Sequence, residues 1–210
     1  MLALMAGHLM KMQVYKRKNK EFKMSNAKLV EIALKEVGVR EVPINSNRGP
    51  RVEDFQKYVG AWLVGGAWCA AFISWVFGQA FADQKNPAGK QSSAIMGFWT
   101  RNAKHEHFIR FTPKDVMSGK CKIEPGDMFV MCSDPLKVPQ VQVGTVKAHT
   151  GHVGFCTGEM ITTKKFATVE GNTNEAGSRE GGGVYARSRT LDEAKLVGFV
   201  RYIGPWKASS

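Results

Sequence analysis

Between residues 68 and 81 the chain reads WCAAFISWVFGQAF, a run of helical length with no polar face. A helix that is apolar all round must be covered on every side, by a sheet and neighbouring helices, or lie in lipid. Lipid is excluded, because the longest apolar stretch, around Ala61 to Ala82, is interrupted by Gly65, Gly66, Gly78 and Gln79. A span needs roughly 18 consecutive apolar residues. The rest of the chain therefore has to supply the cover, and with 43% hydrophobic and 10% aromatic residues in 210 it can. One α/β or α+β unit of roughly 150–200 residues is expected.

The pattern on either side of this run decides between the two. Asn26 to Val37 places Leu29, Val30, Ile32, Ala33 and Val37 on one helical face, with Ser25 or Asn26 as N-cap and Gly38 as the stop. After the loop from Pro43 to Gly49, Pro50 opens a second helix with Val52, Phe55 and Val59 on its apolar face and Gly60 at its end. The central helix follows from Trp68, with Phe72, Ile73, Val76 and Ala80 around it, and Ser93 to Arg101 has a weaker helical pattern. Then the period changes. Asp127–Cys132, His152–Thr157, Phe166–Asn172, Gly183–Arg189 and Leu196–Ile203 read as short strands separated by turn residues, with Asp134 to Thr150 as a hairpin or excursion. Helices first and strands later is an α+β order, with N-terminal helices packed on a small antiparallel sheet.

Thirty Lys and Arg against eighteen Asp and Glu leave a formal charge of +12. The first 24 residues carry +5 of it, from Lys11, Lys16, Arg17, Lys18, Lys20 and Lys23 against Glu21, which leaves +7 on the remainder. The expected organisation is a basic arm at 1–24, a folded domain at 25–206 and a tail at 207–210. Met1 to Met10 is apolar but has no basic segment before it and no small-residue cleavage site after it, so it reads as neither a secretory signal nor a span. The expectation is a protein made in the cytoplasm. Such a charge suits a polyanionic partner, which could be nucleic acid, an anionic membrane surface or a bacterial wall. No helix-turn-helix, zinc-finger or RNP-type motif is present, so no specific nucleic-acid contact is expected; a non-enzymatic basic module binding nucleic acid or cell wall is the alternative to an enzyme.

Four cysteines, Cys69, Cys121, Cys132 and Cys156, are too few for a disulfide scaffold and form no C-x-x-C pair. Alone, a cysteine in an apolar helix is ordinarily an inert small hydrophobe. Cys69 falls in the first turn of the central helix, where unpaired N–H groups and the helix dipole favour a thiolate. His152, in Thr150-Gly151-His152-Val153-Gly154, opens a strand between glycines that leave room for a substrate, and is a candidate general base. In Val169-Glu170-Gly171-Asn172, Glu170 and Asn172 share a strand face, and either could reach a histidine on the neighbouring strand to fix its tautomer. His149 and His152 have an H-x-x-H spacing, but a glycine-bearing turn holds two rings poorly for a metal, and none is expected.

The order of WCAAF, Glu124-Pro125-Gly126-Asp127, GHVGF and VEGN along the chain resembles the cysteine, histidine-dependent amidohydrolase/peptidase (CHAP) family of peptidoglycan hydrolases, over about residues 26 to 204. The upstream Gly38 to Pro43 and Asn47 to Pro50 are similar to phage-type lytic members. The resemblance implies a papain-like core with Cys69 as nucleophile, His152 as base and then acid, and Glu170 and Asn172 as orienting or polarising residues. It implies an amidase or endopeptidase acting on bacterial peptidoglycan as a monomer without a cofactor, with the basic surface drawn to anionic envelope polymers or lipids. Some members hold calcium before the catalytic helix. Asn45-Ser46-Asn47-Arg48 has no carboxylate pair, so calcium is not carried over. Of the tryptophans, Trp68, beside the nucleophile, is the expected substrate contact.

Overall fold

The computed structural model describes residues 26–82, 85–101, 106–134, 151–174 and 181–204. The expected arm at 1–24, nearly all of the 134–150 segment and the tail at 207–210 lie outside the described residues. Helix α1 covers residues 26–35. Its Asn26 lies within the helix and donates from Nδ2 to the Tyr202 carbonyl at 3.1 Å. Val37 lies past the end of α1, in the turn at Gly38, and is exposed rather than on the apolar face. Helix α2, Pro50–Val59, begins on its proline and stops at Gly60, as its sequence pattern implies.

Helix α3, Cys69–Ala80, is the apolar run, and it is buried on nearly every side. Leu29 and Ala33 of α1, Val52 and Phe55 of α2, and Val153, Phe155 and Val169 of the sheet share one core with it. Phe55 is the hinge of the aromatic packing, with its ring centroid 5.7 Å from Trp68, 5.2 Å from Phe72 and 5.1 Å from Trp75. Residues Ala94–Arg101, where a helix is expected, wind as a π-helix. That segment buries Ala94, Ile95 and Phe98.

Six strands follow among the described residues: β1 Phe108–Phe111, β2 Met128–Cys132, β3 Gly151–Met160, β4 Lys165–Thr173, β5 Gly183–Thr190 and β6 Leu196–Tyr202. They form one antiparallel sheet in the order β1-β6-β2-β3-β4-β5. The architecture is α+β. Two short elements that the sequence reading did not anticipate are β1 and helix α4, Pro113–Met117, whose start is closed by a reciprocal Thr112–Asp115 capping box. Residues 38–41 run beside the start of β5, with the Gly38 N–H donating to the Val184 carbonyl and the Glu41 N–H to Gly182.

Alternation along the strands gives the sheet two different faces. Val153, Phe155 and Val169 point to the helices, while Phe129, Cys156, Phe166 and Phe199 build a second, smaller core on the other side. Where α3 crosses β4, there is no room for a side chain at Gly171: a Cβ there would lie 2.8 Å from the Trp68 ring and 2.9 Å from the Phe72 ring. Both rings are fixed in the core, so Gly171→Ala should force helix and sheet apart and cost about 1–3 kcal/mol of stability. Urea unfolding of the variant measures this, and an unchanged midpoint would rule out the close approach.

Candidate active site

The start of α3 is held from two directions. Trp68, its N-cap, donates its backbone N–H to Asn172 Oδ1 at 2.8 Å and its indole Nε1–H to Glu41 Oε1 at 2.8 Å. Asn172 is in turn tied through Nδ2 to Asn47 Oδ1 at 3.2 Å, so the loop before α2, the end of β4 and the start of α3 converge on one peptide. Cys69 is the next residue, only 7% exposed. Burial by itself would raise its thiol pKa. The His152 imidazole beside it, with the backbone N–H groups of Val153 and Ala70, outweighs burial and holds the thiol below its ordinary value.

His152, the second residue of β3, is also buried, and its ring packs 5.8 Å from that of Phe129. Its Nε2 is 2.8 Å from Glu170 Oε2 on the adjacent β4. That commitment leaves Nδ1, which is buried without a hydrogen-bond partner and is the ring nitrogen available to the Cys69 thiol. Burial would lower the imidazole pKa, but the thiol and Glu170 raise it to about 9. Glu170 itself is wholly buried; burial would raise its carboxyl pKa, and His152 and Arg189 bring it down to about 2. The three groups therefore favour a thiolate, an imidazolium and a carboxylate in a row, which is the arrangement of an activated nucleophile, its base and an orienting group. Gly154 makes the row possible. A Cβ there would lie 2.9 Å from Glu170 Cγ and 2.6 Å from the Phe129 ring.

Cys69, His152 and Glu170 are thus brought together, and two other expected site residues do different work. Asn172 does not join Glu170 on the histidine. Its backbone is left-handed, with φ 58°, and the β4–β5 register shifts beside it, so the alternation that puts residues i and i+2 on one face fails there. Its carboxamide serves the start of α3 instead. Trp68, expected to meet substrate, is 0% exposed and stacks on Phe55, so it is a packing and anchoring residue. Cys132 and Cys156 are buried free thiols, Cys121 is half-buried and also free, and His149 lies outside the described residues.

Sequence reasoning missed Arg189 and Thr168, which complete the surroundings of Glu170. Thr168 Oγ1 donates to Oε1 at 2.7 Å, and Arg189 donates from Nε to Oε1 at 2.9 Å and from Nη2 to Oε2 at 2.5 Å. Thr168 was legible as the residue two before Glu170 on the same face. Arg189 becomes legible only once the register of β5 against β4, Phe166 opposite Arg189 and Glu170 opposite Tyr185, is known. No protein-family model, curated protein or solved structure matches the chain, so the chemistry of this site is argued from its own geometry.

The order of the charges sets an expected pH dependence. Alkylation of Cys69 by iodoacetamide, followed by mass spectrometry of the Cys69 peptide, should show an acid limb below the ordinary thiol pKa of about 8.5. His152→Ala leaves burial less opposed, so the limb should move up and the rate near neutral pH should fall at least about tenfold. An unmoved limb in that variant would mean that His152 does not govern the thiol.

Proposed function

We propose that the protein is a cysteine hydrolase that cleaves an amide or peptide bond of bacterial peptidoglycan. The observation that carries the hydrolase reading is the buried Cys69–His152–Glu170 row at the start of α3. A thiolate at a helix start, facing an imidazole on an antiparallel sheet, is the disposition of a papain-like core, which is how the proposed catalytic domain, residues 25–206, is read. The peptidoglycan reading draws on the motif order that resembles the CHAP family and on the +12 charge, which suits an anionic envelope.

In this reading the Cys69 thiolate attacks the scissile carbonyl carbon and forms a C–S bond. The developing oxyanion is met by N–H groups of the first turn of α3, which have no partners within the helix. His152 passes its Nδ1 proton to the departing amine, the C–N bond breaks, and a thioester remains on Cys69. Neutral His152 then takes a proton from water, whose oxygen attacks the thioester carbonyl, and the C–S bond breaks to return the thiolate beside the imidazolium as the acid product leaves. Throughout, Glu170 accepts the Nε2–H, which fixes the tautomer and balances the imidazolium. Asn172 keeps the nucleophile in place by holding the peptide before it.

The test is release of new amino groups from purified peptidoglycan by the full chain. Cys69→Ala should reduce it by about three orders of magnitude or more while the protein remains folded. Equal activity in the variant would remove Cys69 from the mechanism. Absence of cleavage by either form would replace the wall substrate with a binding role for the basic surface. The masses of the soluble fragments tell whether the bond cut joins the stem peptide to the glycan or lies within the peptide.

A further inference from the structure

A carboxylate wholly out of water needs all its acceptor positions filled, and Glu170 has four donors for them: His152 and Arg189 Nη2 on Oε2, Thr168 and Arg189 Nε on Oε1. Arg189 supplies two of the four. It comes from β5, the strand beyond the one that carries Glu170, and is itself buried at 7% exposure. Its guanidinium lies over the Phe129 ring, 5.6 Å from the centroid, the same ring that packs against His152. A third arm, Nη1, reaches Glu193 at 3.5 Å on the more exposed side. An arginine spent in this way is placed for one carboxylate and one orientation of it.

Resting on the reading of Cys69 and His152 as nucleophile and base, we infer that Arg189 is a positioning residue for that pair, fixing Glu170 with a bidentate fork and cancelling its charge, so that the row is a buried cluster without net charge. Among the described residues, the other charged and titratable groups around the row are few. Cys156 of β3 lies on the Glu170 face, and burial, then Asp127 and Glu170, push its thiol well up, so it stays neutral. Asp127, before β2, is paired with Arg201 of β6 at 2.7 and 2.8 Å. Arg187 of β5 is bonded to the Asn174 carbonyl, and Glu41 is turned to the Trp68 indole. Among the described residues, Arg189 is therefore the cation that faces Glu170 besides His152.

The sign of its effect follows from electrostatics. Removing a buried positive charge favours the protonated form of every neighbour, so the thiolate is harder to form whether Glu170 keeps its charge or takes up a proton. A unit charge ~8 Å away at an effective dielectric of ~20 displaces a pKa by about one unit or more, which is the scale expected here.

The experiment compares Arg189→Gln and Arg189→Lys with the wild-type full chain, each checked for folding by circular dichroism. Cys69 alkylation is followed against pH by mass spectrometry, and peptidoglycan cleavage is normalised to the alkylatable Cys69. Arg189→Gln should move the acid limb of alkylation up by about one pH unit, while Arg189→Lys, which keeps the charge but offers no planar fork, should keep the limb and lose about tenfold in kcat with little change in KM. A folded Arg189→Gln protein with the wild-type limb overturns the inference. So does an Arg189→Lys protein with wild-type kcat, which also decides the matter if the glutamine variant does not fold. A merely structural arginine would lower the melting temperature and leave the limb and the normalised kcat alone. Alkylation needs no wall, so a wild-type protein with a low acid limb and no cleavage would defeat the substrate reading separately.

Discussion

Glu170 carries a negative charge with none of its surface in water, and the cost of keeping it there organises much of the molecule. An unpaired buried carboxylate would simply take a proton. Three strands prevent this. β3 brings His152, β4 brings Thr168 and β5 brings Arg189, so the ionised state of one side chain depends on the mutual register of half of the sheet. The tolerances are narrow, because Gly154 is the gap through which Glu170 lies across β3 toward the Phe129 ring.

The helix side of the structure solves a separate problem, that of bringing a thiol to the charged row without letting the helix slide. Apolar packing is strong but unspecific in register, and α3 is packed by apolar contacts almost everywhere. Directional bonds hold it at its start, from the Trp68 N–H to Asn172 and from the Trp68 indole to Glu41, and at Ser74, which is bonded to Gln91 and Asn86. Packing supplies the adhesion, and these hydrogen bonds supply the position. Cys69 then feels His152 and the first-turn N–H groups together, and these outweigh the burial that would otherwise protonate it.

Much of this was legible in the sequence, for identifiable reasons. α3 announced itself by having no polar face, and α2 by its proline and glycine ends. The five long strands showed through runs of β-branched and aromatic residues. Cys69, His152 and Glu170 could be picked out because each is a reactive type in a local setting that means something: a helix start, a glycine-flanked strand opening, a strand position in reach of its neighbour. The role of Asn172 was not legible, since its left-handed backbone breaks the alternation used to place it. Trp68 misled because adjacency in sequence to a reactive thiol does not say which way a ring turns. Arg189 was hidden by the long connection between β4 and β5, which gives no clue to register, and β1 and α4 by their shortness, at four and five residues.

The way the sheet ends bears on how the chain behaves in company. Open strand edges are templates on which another molecule's backbone can add, and proteins shorten, charge or cover them. At one margin β1 is four residues long and presents Ile109 and Arg110 outward. At the other, residues 38–41 lie against the first part of β5, and the Arg40 guanidinium sits 4.2 Å above the Tyr185 ring. The segment that leads into the loop before α2 thus also works as a selvedge, guarding a six-stranded sheet from edge-to-edge aggregation with copies of itself.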